Sequence, residues 1–263
     1  MMEPVYIVVA LVAAFASLLT FFSGFGLGTI LLPAFAFFFP LDVSVALTAI
    51  VHLSNNLFKF VLMRKHTNWK VVLAFGIPGI LMAILGAHLL TLLGGLQEPL
   101  YKWQLGEREF TVSYLGAIMG CLLIFFAFFE LWSPKKSEGK SHLVLGGAIS
   151  GFFGGLSGHQ GALRSVFLLR QGLSRDTFIA SGIAIACIVD LGRITVYSVE
   201  MGDRLAGANV SVLLVAVLAA FAGAMLGKRF LKKVTIRTIQ LSVASLLVIV
   251  GLAMVLGFIG HSG

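Results

Sequence analysis

The stretch from Gly151 to Gly172, GFFGGLSGHQGALRSVFLLRQG, decides how the chain is read. It sets Gly151, Gly154, Gly155, Gly158 and Gly161 around Ser157, His159, Gln160 and Arg164, within surroundings that are otherwise almost wholly apolar. The chain is 59% hydrophobic and only 11% charged, with a mean hydropathy of +1.01. A soluble domain carries roughly a quarter charged residues. Solid apolar runs recur along the whole length, which indicates an all-α polytopic membrane protein. A transmembrane β-barrel would instead alternate polarity in short segments.

Working outward from that stretch, apolar segments fall at 4–22, 29–39, 43–63, 71–93, 111–132, 142–156, 161–169, 175–199, 208–227 and 238–260. Crossing a bilayer takes about 20 residues. The segments 29–39 and 161–169 are too short, and each follows a glycine cluster, Ser23 to Gly28 and Ser157 to Gly161. The two halves share one plan: a helix, a glycine break, a short helix, a turn and three full spans. The expected organisation is a first membrane repeat at 1–132, a polar cytoplasmic linker at 133–141 and a second membrane repeat at 142–263. Interrupted segments at matching positions of two halves are the mark of a secondary transporter and its binding site.

Charge tests whether the broken segments cross or turn back. If both cross, the Lys and Arg residues of the loops divide almost evenly. If both are re-entrant hairpins, Lys102, Arg108 and Arg204 lie on one side; the basic residues of 64–70, 135–140, 170–175 and 228–237 lie on the other. Cytoplasmic loops are basic, so the re-entrant arrangement is favoured. It predicts six full crossings, two hairpins entering from opposite faces, both termini extracytoplasmic, and a second half inverted relative to the first. The net charge of +8 is thus topology, with no nucleic-acid partner expected. Ala14-Phe15-Ala16 resembles a signal-peptidase site, but Met1 to Pro4 lacks the preceding positive charge and carries Glu3, so no cleavage is expected. Cys121 and Cys187 fall in apolar spans as small core residues, and neither a metal nor a cofactor is expected.

Irregular backbone cannot face lipid, because unpaired N–H and C=O groups cost several kcal/mol each there. Two breaks arriving from opposite faces would meet near the midplane, each aiming the N-terminus of a short helix into one cavity, which is an anion site. The candidates for it are Gly24, Gly26, Gly28 and Thr29 from the first break and Ser157, Gly158, His159, Gln160, Gly161 and Arg164 from the second. Arg164 offers a guanidinium fork suited to carboxylate, sulfonate or phosphate oxygens. In the third span His52, Asn55, Asn56 and Lys59 share one face. His52 and Asn56 are taken as cavity-wall candidates, while Lys59 is expected to snorkel to the inner interface. Asp190 and Arg193, three residues apart, read as a structural pair; the alternative makes Asp190 a proton-coupling group and Arg193 a substrate contact. His88 and Glu130 stand isolated.

These motifs resemble the signature of the sulfite exporter TauE/SafE family. The first copy is Gly24-Phe25-Gly26-Leu27-Gly28-Thr29-Ile30-Leu31-Leu32-Pro33, followed by Pro40 and Ala46-Leu47-Thr48. The second runs from Ser157-Gly158-His159-Gln160-Gly161 to Ala180-Ser181. The resemblance covers essentially the whole chain. It implies an inner-membrane permease that moves sulfite, sulfonates or related organosulfur anions, with the lipid bilayer and a small anion as partners and a proton as candidate coupling ion. The chain departs from the family pattern at Leu27, His159, Gln160, Arg164 and Val166, which makes its second break more polar and more cationic.

Two rival functions bear on the same residues. Gly155-Leu156-Ser157-Gly158 with His52 and Asn56 echoes rhomboid intramembrane proteases, but nucleophilic serine needs a partnered base. No histidine on a later membrane helix is placed to serve it, so no enzyme is expected. An anion-selective channel would also suit a polar break at the midplane.

Overall fold

The structure, a computed structural model, describes residues 3–20, 26–96, 98–131, 142–230 and 236–259. Among these the chain forms α1 (Glu3–Thr20), α2 (Leu27–Ala36), α3 (Leu41–Met63), α4 (Trp69–Gly94), β1 (Pro99–Leu105), β2 (Arg108–Ser113) and α5 (Tyr114–Leu131). The second half contributes α6 (Leu143–Ser157), α7 (Gln160–Leu169), α8 (Arg175–Glu200), α9 (Gly202–Ala206), α10 (Val210–Phe230) and α11 (Ile236–Val255). The two short apolar segments of the sequence are thus short helices, α2 and α7. The linker 133–141 and Gly24 lie outside the described residues.

This is an all-α membrane protein. Four described helices, α3, α4, α8 and α10, are long and apolar enough to cross a bilayer; α5 and α11 supply shorter apolar stretches, Tyr114–Phe129 and Gln240–Val255. Along α4 the side chains of Leu73, Ile77, Leu81 and Leu85 are exposed at helical spacing, a lipid-facing stripe. The opposite face of α4 is buried.

Small residues bring backbones into contact. A Cβ on Gly151 would lie 2.0 Å from the Gly79 carbonyl, one on Gly155 2.0 Å from the Ala83 carbonyl, and one on Gly86 2.1 Å from the Phe152 carbonyl. So α4 and α6 run parallel, packed as closely as helices can be, the small-xxx-small mode of membrane helices. The α1–α10 pair repeats this, with Gly223 against the Ala14 carbonyl and Asn209 donating to the Tyr6 hydroxyl at 3.0 Å. By contrast, α5 and α11 are antiparallel: Gly116 faces Met254, Gly120 faces Gly251, and Ala127 lies beside Ala244.

At the centre α3 and α8 also cross antiparallel. Asp42, at the start of α3, is ion-paired with Arg204, just beyond the end of α8. Phe60 and Met63, at the other end of α3, pack with Phe178 and Ile179 at the start of α8. Ser174 caps α8 by accepting from the Thr177 N–H, and Asn68 caps α4 by accepting from Val71.

The structure departs from the sequence reading between α4 and α5. The stretch 99–113, left there as loop and the start of a span, is an antiparallel hairpin that pairs Trp103 with Phe110 and turns at Gly106 with φ 64°. Its alternating pattern is the usual strand signature, masked in a hydropathy reading by the neighbouring apolar spans. The hairpin clasps the end of α11, with Trp103 donating to the Leu256 carbonyl at 2.9 Å and Phe110 edge-on to Phe258.

Candidate functional site

Both breaks are made by glycine in the left-handed region. Gly26, φ 105°, precedes α2; Gly158, φ 80°, ends α6 with its N–H on the Gly154 carbonyl at 3.0 Å. A side chain at either position would be strained, which is why these two glycines matter conformationally. Neither α2 nor α7 has a side-chain hydrogen bond capping its N-terminus. Four N–H groups at each helix start lack an intrahelical partner, so both ends present donors and partial positive charge.

The breaks meet. A Cβ on Gly28 would lie 3.7 Å from the Gly158 carbonyl, 3.6 Å from Thr48 Cγ2 and 3.9 Å from His52 Cδ2. Residues 130 positions apart thus share one small neighbourhood beside the crossing of α3 and α8. Thr29 stands half-buried in the first turn of α2, and Gly161 in the first turn of α7.

Behind that neighbourhood sits Asp190, which is wholly buried. It faces three partners: His52 Nδ1 lies 2.6 Å from Oδ2, Gln160 Nε2 donates to Oδ1 at 2.9 Å, and Arg193 reaches Oδ1 with Nε at 3.0 Å. The Asp190–Arg193 pair expected from the sequence is therefore present, but it belongs to a wider network. Arg193 also donates from Nη1 to the Gly154 carbonyl at 3.1 Å. That carbonyl belongs to the last turn of α6, where a cation meets the negative end of the helix dipole. One carboxylate thereby ties α3, α7 and α8 together, and Arg193 extends the tie to α6. Buried charges need such pairing and hydrogen bonding.

Arg164 lies on α7, 2% exposed, with Nη1 donating to Gln160 Oε1 at 3.3 Å and Nε near Gly182 of α8. Gln160 bridges the two charges, its amide nitrogen on Asp190 and its oxygen toward Arg164. Ser150 of α6 donates to the Gln160 carbonyl at 2.8 Å and fixes the α6–α7 hairpin. Among the described residues the buried charges are Lys59, Arg164, Arg193, Asp42 and Asp190, and of these Arg164 and Arg193 gather with Asp190 around Gln160. The expected snorkelling of Lys59 is not seen: the residue is buried, 4% exposed. Asn56 sits over the His52 ring at 3.1 Å from Nδ1.

No histidine of a later membrane helix reaches Ser157 among the described residues, but His159, in the same break, touches it. The chain reverses at Gly158 and brings His159 Nδ1 to 3.2 Å from Ser157 Oγ. The Ser157 hydroxyl, however, donates to the Phe153 carbonyl at 3.0 Å. Its proton points along α6, away from the imidazole, which is not the geometry of an activated nucleophile. The His159 ring stacks on Phe126 of α5 with centroids 5.2 Å apart.

Thr48 escaped the sequence reading as a site group. Its Oγ1, like Asn55 Nδ2 and His159 Nε2, is buried and finds no hydrogen-bond partner among the described residues. Thr48 stands one turn before His52, so the polar face of α3 extends over Thr48, His52, Asn55 and Lys59; that i, i+4, i+7, i+11 spacing was available as a signal. His88, isolated in sequence, is ion-paired with Glu200, which also accepts from Thr91. This cluster and the Asp42–Arg204 pair lie at the C-terminal end of α8, remote from the breaks along the helix. The Glu130 side chain lies outside the described residues.

The profile of one protein family, described as sulfite exporter TauE/SafE, matches residues 9–254 of the chain. Comparisons with curated proteins and with solved structures returned no match.

Proposed function

The chain belongs to the sulfite exporter TauE/SafE family, and from that premise we propose that it is a secondary transporter that holds a small organosulfur anion, sulfite or a sulfonate, where its two glycine breaks meet. Members of this family are membrane transporters, and the chain is a multi-pass membrane protein. The observation that carries the reading is the approach of Gly28 to Gly158, which sets the starts of α2 and α7 beside one another. Two uncapped helix N-termini facing one space favour a negative guest. The arginines Arg164 and Arg193 stand at the same place within the membrane, which points the same way.

In this reading the amides of Gly28, Thr29, Gln160 and Gly161 and the Arg164 fork bind the anion. His52, Asn56 and Gly26 shape the wall. Asp190 and Arg193 act as structural counter-ions, since each is already committed to several partners. The expected inversion of the two halves finds support in the antiparallel crossing of α3 with α8 and of α5 with α11, which are matching elements of the two halves. Such a pair of halves suits alternating access by rocking one against the other around a fixed site.

Flux of radiolabelled sulfite into proteoliposomes tests the proposal. Saturable uptake with counterflow is the expected result; ohmic single-channel conductance would overturn it in favour of a pore.

A further inference from the structure

His159 is the one site histidine whose second nitrogen is left over. Its Nδ1 lies 3.2 Å from a Ser157 hydroxyl whose own proton goes to the Phe153 carbonyl. A hydroxyl that has spent its proton can only accept. Nδ1 therefore carries the hydrogen, which fixes the tautomer. In neutral His159, Nε2 is then a bare lone pair, 4% exposed as a residue and without a partner among the described residues. It sits one residue past Gly158 and immediately before α7, at the meeting point of the two breaks.

A lone pair facing an anion is repulsive, whereas an N–H there is a charge-assisted donor. The charge felt directly at the ring is that of Arg193 on α8, while Phe126 on α5 contributes only its ring. The other buried ionisable side chains of the surrounding elements are Asp190 and Tyr197 on α8, Arg164 on α7 and His52 on α3; the spans of α6 and α2 carry none. A second positive charge beside Arg193 is costly unless a negative charge arrives with it. We infer that His159 takes up a proton on Nε2 together with the anion, so that guest and proton occupy the site as a pair. The proton comes from hydronium or from the acidic form of the guest: its O–H bond breaks, the electron pair stays on that oxygen, and an N–H bond forms at the Nε2 lone pair.

This rests on the proposed anion site and adds the coupling ion and its seat. It also defines the guest: an oxyanion with one oxygen for Nε2–H and others for the helix starts and Arg164. Calorimetry on the purified full chain tests it, with methanesulfonate as a probe that carries no exchangeable proton near neutrality and sulfite as the second probe. Titrations in buffers of different ionisation enthalpy read the number of protons taken up. The expected result is close to one proton per methanesulfonate bound above about pH 7, with affinity falling about tenfold per pH unit there. His159→Gln keeps an N–H donor but cannot titrate; it should bind with no proton uptake and no pH slope. Ser157→Ala removes the acceptor hydroxyl and should lower the proton count while the protein stays folded.

Binding without proton uptake, or an unchanged proton count in His159→Gln, would overturn the inference and leave the anion site standing. Failure of the wild-type chain to bind either probe would overturn the anion site itself, and this inference with it. If His159→Gln does not fold, the proton count of Ser157→Ala decides: a value equal to wild type counts against the inference.

Discussion

His52 Nδ1 lies 2.6 Å from Asp190 Oδ2, joining residues 138 positions apart across the crossing of α3 and α8. The contact matters because Asp190 also serves Gln160 and Arg193, so one carboxylate holds the break that follows α6 in place. Asp190→Asn strips a fully buried arginine of its counter-ion. Removing one partner of a buried pair costs about 3–5 kcal/mol. The variant should lose thermal stability in detergent, and Asp190→Leu with Arg193→Met should recover much of it while failing to transport. A melting temperature equal to wild type for Asp190→Asn would remove Asp190 from its structural role.

Arg164 should behave differently. It reaches Gln160 but stands outside the tight Asp190–Arg193 contact. Arg164→Ala should lower the rate of sulfite uptake in proteoliposomes more than tenfold, with the protein still inserted and folded. Arg164→Lys should restore only part of it, because a fork becomes a point charge. Equal flux in the alanine variant would exclude Arg164 from the site.

The glycines divide into two kinds, and substitution separates them. Gly155→Ala would push a methyl to 2.0 Å from the Ala83 carbonyl, a backbone atom that cannot step aside. The α4–α6 contact must then open, and the folded yield should collapse. Gly202→Ala, with nothing within 4 Å and no left-handed backbone, should change stability by less than about 0.5 kcal/mol. Comparable yields of the two variants by size-exclusion chromatography would contradict the close-packed helix pair.

How far this was legible in the sequence follows from the range of each interaction. Hydropathy is local, so the long spans and the two short helices could be read directly, and Gly26 and Gly158 announced their breaks. The network around Asp190 is not local: nothing in the sequence says that His52 faces Asp190 rather than lipid or Asn56 alone. Lys59 looked free to snorkel because its burial is a tertiary property. Gly151 and Gly155 stood in the same glycine-rich run as Gly158, yet they pack against α4; only their spacing with Gly147 distinguished them. The 99–113 hairpin was hidden for the opposite reason, its period-2 pattern being short beside the spans around it.

Thr48 gives the sharpest separation of stability from function. Serines and threonines inside membrane helices commonly donate to the carbonyl one turn back, as Ser44, Ser54, Ser165 and Thr195 do here. Thr48 does not, although it is 2% exposed and lies beside Gly28. A buried hydroxyl left without a partner costs about 1–3 kcal/mol. Thr48→Val keeps the shape and removes that cost, so the apo protein should become more stable, by about 1 kcal/mol. If the hydroxyl donates to the bound anion, the same change should weaken sulfite binding about tenfold, equivalent to about 1.4 kcal/mol. Thermal denaturation with and without sulfite measures both at once. A valine variant stabilised by sulfite as strongly as wild type would place the Thr48 hydroxyl outside the anion's coordination.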